Sequence, residues 1–121
     1  MPLQRAGTQY NLGTALAIRG QREARTARLE QAVEAYRAAL SEWTHDREPL
    51  QWAGVLGNEG MALLTLAERT EDPAQARQAL EQLTLAEATL RRSGHIPWAD
   101  YYAGQIPAAR ELVDRLSAGP P

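Results

Sequence analysis

The apolar positions of this chain fall into helical stripes. The clearest is Leu29, Ala32, Val33, Tyr36, Ala39, Leu40 and Trp43, whose steps of three and one trace one face of an α-helix over about residues 26–46. Upstream, Leu12, Ala15, Leu16 and Ile18 give residues 1–20 an apolar face, with Pro2 suited to a first helical position and Gly20 to a helix end. A third helix is predicted over residues 49–69, carrying Val55, Leu56, Leu63, Leu64 and Leu66. Asp72, Pro73 and Gln75 then form a helix-start signal of the D-x-x-Q capping type, and the fourth helix runs on to about Ser93, where Gly94 stops it. Residues 97–117 read as one closing helix, kinked where Pro107 lacks an N–H, with Arg110, Glu111, Asp114 and Arg115 on a wet face. Residues 118–121 read as a disordered tail.

The pattern recurs. Pro2-Leu3-Gln4-Arg5-Ala6-Gly7 returns as Pro49-Leu50-Gln51-Trp52-Ala53-Gly54, and Asn11-Leu12-Gly13 returns as Asn58-Glu59-Gly60. Nine of fifteen aligned positions are identical at an offset of 47 residues. The stripe of the second helix, shifted by the same 47, lands on Ala76, Ala79, Leu80, Leu83, Ala86, Glu87 and Leu90, so the period holds through the whole unit. A fixed period marks a repeat protein. Ile96-Pro97-Trp98-Ala99 echoes Leu50-Gln51-Trp52-Ala53 at an offset of 46, as a third unit that begins and then departs from the pattern. Gly13 and Gly60 sit mid-helix, where each costs about 1 kcal/mol relative to Ala. Such a cost at both equivalent sites implies a neighbouring helix too close for a Cβ. The expected fold is therefore all-α: a right-handed α-solenoid of two 47-residue helix-turn-helix units (2–48 and 49–95) plus a C-terminal capping helix, in one domain over residues 1–117.

Composition sharpens this picture. There are 22 Ala and 16 Leu against no Phe and no Cys, a bias toward closely packed helices. All 13 basic residues are Arg, and against 15 acidic residues they leave a net charge of −2 with the signs interspersed. A nucleic-acid binder calls for a basic face, so that class is disfavoured. The lack of Cys removes thiolate chemistry and Cys-based zinc sites. No stretch is long and apolar enough to span a bilayer, the N-terminus lacks the order of a secretory signal, and a cytoplasmic setting is expected.

Asn11-Leu12-Gly13, followed by Ala32-x3-Tyr36-x2-Ala39, resembles the tetratricopeptide repeat family, and the second unit gives Asn58-Glu59-Gly60 and Ala79-x3-Leu83-x2-Ala86. The resemblance is closest to long bacterial arrays, through Pro2-Leu3, Gln9, Ala15-Leu16 and the run from Ala27 to Leu40, and it covers about residues 2–93. The unit of 47 is longer than the usual 34, Arg5 stands where Trp52 does, and Glu59 stands where Leu12 does. The family's concave face, built from the first helix of each pair, usually holds a protein or peptide. The resemblance thus implies a scaffold or adaptor without catalytic activity or cofactor, binding through Tyr10, Asn11, Thr14, Asn58, Met61 and Tyr102. A clamp for acidic peptide C-termini leans on Lys in such proteins, and this chain has none. A second expectation is structural: the first helix has no cap before it, so this end pairs with a second copy or with upstream repeats.

Sharper chemistry finds little support. The stripe from Leu29 to Trp43 is core rather than a ligand groove, and Trp52 and Trp98 are packing residues before they are partner anchors. His45 and His95, near Asp46 and Asp100, lack the clustered spacing of a metal site, and none is expected. Gly54, Gly57 and Gly60 form a G-x-x-G-x-x-G run, but inside a helix they permit close packing rather than cradle phosphate. No catalytic motif is present.

Overall fold

The computed structural model describes residues 2–118, so all but the first residue of the tail expected at 118–121 lies outside the described residues. Six helices follow in order: α1 (Pro2–Arg22), α2 (Ala27–Leu40), α3 (Pro49–Thr70), α4 (Pro73–Arg92), α5 (Ile96–Ala103) and α6 (Ile106–Ser117). No strand occurs among the described residues. Each of α1 to α4 packs on the next, α4 also holds α5 and α6, and α1 touches α3.

The stripes of the second and fourth helices are the core, whereas the apolar face expected on α1 is left largely open. Leu12, Ala15 and Ile18 are exposed, because α1 packs on α2 and only lightly on α3. Leu29, Ala32, Val33, Tyr36 and Ala39 of α2 are buried, as are Ala76, Ala79, Leu83, Ala86 and Leu90 of α4. The glycines act as inferred from the repeat. A Cβ on Gly13 would lie 2.8 Å from the ring of Tyr36, and one on Gly60 would lie 3.2 Å from Leu83. Leu83 is 47 residues beyond Tyr36, as Gly60 is beyond Gly13, so equivalent glycines receive equivalent side chains. Gly57 is tighter still, at 2.5 Å from the ring of Tyr102, whereas Gly54 faces nothing within 4 Å.

Two boundaries differ from expectation. The second helix ends at Leu40, not near Asp46. The Trp43 N–H still reaches the Ala39 carbonyl at 2.9 Å, so one further turn carries Trp43 onto the same face after the helix proper has stopped. The single kinked closing helix is replaced by two, α5 and α6, parted at Gly104 and Gln105. Pro107 starts a helix here rather than bending one. In a first turn its missing N–H has no partner to lose. Pro49 and Pro73 open α3 and α4, and Pro97, like Pro107, is the second residue of its helix.

Asp72 caps α4 as predicted, its Oδ1 accepting from the Ala74 and Gln75 N–H groups at 2.9 and 3.4 Å. The Gln75 amide oxygen accepts from the Thr70 hydroxyl at 3.2 Å, which ties the α4 start to the end of α3. Arg69 fastens α3 to the preceding pair. Its guanidinium donates to the carbonyls of Gly20 (2.9 Å), Gln21 (3.0 Å) and Arg25 (3.4 Å), which close α1 and the turn after it. Glu59 is the one acidic side chain in the buried core of the described residues. Its carboxylate accepts from Arg37 Nε at 3.0 Å, across the α2–α3 contact.

Candidate functional site

Three helices that do not follow one another in sequence, α1, α3 and α5, border an open groove of about 820 Å³. Residues three or four apart stand on one side of a helix, and each wall is such a row. Tyr10, Thr14, Ala17, Ile18 and Gln21 come from α1; Asn58, Met61, Thr65 and Glu68 come from α3; Pro97, Trp98 and Tyr101 come from α5, with Gln105 in the turn beyond.

The floor is a fixed polar relay. Asn58 Nδ2 donates to the Tyr10 hydroxyl at 3.1 Å, and the Tyr102 hydroxyl donates to Asn58 Oδ1 at 2.8 Å, so one amide bridges α1 and α5. The Tyr102 hydroxyl also lies 3.1 Å from the Gly54 carbonyl. Beside it, the Tyr36 hydroxyl donates to Thr14 Oγ1 at 3.1 Å. Burial drives the Tyr102 phenol far above the usual tyrosine range. Burial also raises Tyr36, with the hydrogen bond to Thr14 pulling the other way. The Tyr102 and Tyr36 hydroxyls therefore keep their protons at any physiological pH.

Of the six residues implied by the resemblance, Tyr10, Thr14, Asn58 and Met61 meet in this groove. Asn11 is exposed and outside it. Asn58, its counterpart 47 residues on, lines the groove because α1 stands beside it. Tyr102 is fully buried, a support under the floor rather than a contact surface. Sequence reasoning ranked Trp98 as a packing residue before a partner anchor, and it missed Ile18, Tyr101 and Glu68. The first and last continue helical rows already begun at Tyr10 and Asn58, so periodicity alone could have found them. Trp98 and Tyr101 are about half exposed, at 54% and 50%, so the packing role expected of Trp98 accounts for only part of its surface.

The groove's electrostatics are plain. Glu68 is the only charged residue lining it among the described residues, and no Arg does. A second cavity of about 270 Å³ adjoins it through Tyr10 and Trp98, bounded also by Trp43, Leu50, Leu90 and His95. Trp43 packs tilted on Tyr10 at 6.3 Å between ring centroids. Trp52, by contrast, is taken up by an edge contact with His45 at 4.6 Å. No cluster of three or more metal-ligating side chains occurs among the described residues. Among the described residues no helix is long and apolar enough to cross a membrane.

No family model matches the chain, and neither the curated proteins nor the solved structures yield a match.

Proposed function

We propose that this protein is a non-catalytic binding module, a tetratricopeptide-like α-solenoid of two 47-residue units and a closing helix pair, whose groove takes a segment of another protein. The carrying observation is that α1 and α5 present exposed Ile18, Trp98 and Tyr101 on either side of α3, over a floor held by the Tyr10–Asn58–Tyr102 relay. Rigid aromatic anchors on a preformed surface give binding energy at small ordering cost. The polar groups on offer are amides and hydroxyls, with Glu68 the one charge. Such a lining suits a neutral or mildly basic segment with one or two large apolar side chains. It does not suit an acidic chain end, since no cation among the described residues lines the groove. The setting that accompanies this reading is a bacterial cytoplasm, bacterial from the sequence resemblance and cytoplasmic from the sequence expectation given above.

The test is a peptide selection from a random display library against the intact chain, followed by calorimetry. Trp98→Glu and Met61→Glu change the groove wall, while Leu85→Glu alters an exposed apolar residue elsewhere and serves as control. Selected peptides should lose about a hundredfold or more in affinity to the first two variants, the scale of a buried anchor, and nothing to the third. Peptides that bind all three alike would sink the groove assignment.

A further inference from the structure

A second surface lies on α1, on the side away from the groove. Arg5, Thr8, Leu12, Ala15 and Arg19 recur every three or four residues, and all five are exposed. The residues 47 positions on are Trp52, Val55, Glu59, Ala62 and Leu66 of α3, and all of these are covered, Trp52 partly and the other four fully. What covers them is visible: Arg37 of α2 meets Glu59, and His45 in the turn after α2 meets Trp52. The molecule thus displays, on its own α3, the kind of element that fits this face of α1.

Two further residues point the same way. Asn58 and Arg69 reach from α3 to the preceding helix, one to the Tyr10 hydroxyl and the other to the carbonyls that end α1. Their counterparts are Asn11 and Arg22, both exposed, and neither makes a side-chain hydrogen bond or ion pair among the described residues. Arg5 and Arg19 are equally unengaged.

We infer that this face of α1 docks an acidic amphipathic helix of a partner protein, apolar against Leu12 and Ala15 and carboxylate-bearing against Arg5 and Arg19. Charge decides against a second copy of this chain. Arg5 and Arg19 each stand seven residues from Leu12. A two-fold pairing of antiparallel α1 helices about Leu12 therefore sets Arg5 against the other copy's Arg19, and a parallel pairing sets each Arg against itself. Either arrangement collects like charges, whereas a partner with Glu or Asp at those positions neutralises them.

The probe is the chain's own covering element. Residues 21–48 are repeated ahead of Pro2, so that the α2-to-α3 connection is reproduced before α1. The appended copy carries Arg37→Leu, to meet Leu12 where Glu59 stood, and His45→Glu, to meet Arg5 where Trp52 stood. Tethering supplies an effective concentration high enough to reveal even a weak contact. Amide exchange in α1 should slow by about tenfold relative to the unextended chain. That protection should disappear with Leu12→Glu, and it should shrink when the appended His45 position carries Lys instead of Glu. Unchanged exchange, or protection indifferent to both changes, overturns the proposal. So does sedimentation showing that the unextended chain dimerises and that Leu12→Glu makes it monomeric, which would give the face to a second copy.

Discussion

Gly54 and Gly57 stand one helical turn apart in α3, yet substitution should push stability in opposite directions. A Cβ at Gly57 would sit 2.5 Å from the Tyr102 ring, which is fully buried and cannot retreat without lifting α5. Gly57→Ala should therefore destabilise by about 1–3 kcal/mol, the usual range for overpacking. Gly54 meets nothing within 4 Å, so Gly54→Ala simply relieves a helix of its most flexible residue and should stabilise by about 0.5–1 kcal/mol. Urea denaturation of the two variants settles both signs. Glu59 supplies a second residue-level expectation. Desolvation raises its carboxyl pKa above the ordinary 4.5, and the contact with Arg37, followed by a hydrogen bond from Gln82, opposes this without cancelling it. A carboxyl with a raised folded pKa adds stability that is fully present below the unfolded value and lost as pH rises through the folded one. Measured against Glu59→Gln, the parent chain should thus gain stability as pH falls from 7 toward 4.5. A relative loss over that range would mean that Arg37 outweighs desolvation.

At the scale of the element, Arg69 does more than its surface position suggests. Its donors satisfy three carbonyls at the end of α1 and in the following turn, groups that a helix C-terminus leaves without partners. Arg69→Ala should cost about 1–2 kcal/mol, the low end for charge-assisted bonds that remain partly exposed. Hydrogen exchange should quicken first in residues 20–26 while α4 stays protected. The first four helices, the buried faces of α2 and α4 and the close approaches at Gly13 and Gly60 were legible from the spacing of apolar residues and the offset of 47, whereas the face expected on α1 is open at Leu12, Ala15 and Ile18. What was not legible follows from features that periodicity cannot rank. Trp43 keeps the α2 stripe in phase through a turn after the helix has ended, so the stripe overstates the helix. Pro107 is compatible with a kink and with a helix start, and only the break at Gly104 and Gln105 decides between them. Tyr101 and Tyr102 are adjacent, so a rotation of about 100° separates groove lining from buried floor. The one-residue change in offset, from 47 to 46, blurs which of the two carries the equivalent role.

The whole molecule presents two surfaces with opposite electrostatic character. The groove between α1, α3 and α5 is lined by aromatic, aliphatic, amide and hydroxyl groups, with Glu68 its single charge among the described residues. The outer face of α1 sets Leu12 and Ala15 between Arg5 and Arg19. Salt separates these two kinds of attraction, because mobile ions screen exposed charge pairs and leave apolar burial intact. A peptide selected for the groove should change its affinity by less than about threefold between about 50 mM and about 500 mM salt. The same series should weaken an acidic helix on α1, since its exposed pairs with Arg5 and Arg19 contribute only about 0.2–1 kcal/mol each and are largely screened at the upper end. Calorimetry on the parent chain for the first, and α1 amide exchange in the helix-extended chain for the second, provide the two curves. A steep salt dependence in the groove would mean that Glu68 dominates there and that the aromatic wall is secondary. Glu68→Gln then becomes the deciding variant: if it flattens the curve without loss of affinity at high salt, Trp98 and Tyr101 remain the anchors and the charge serves only to choose among partners.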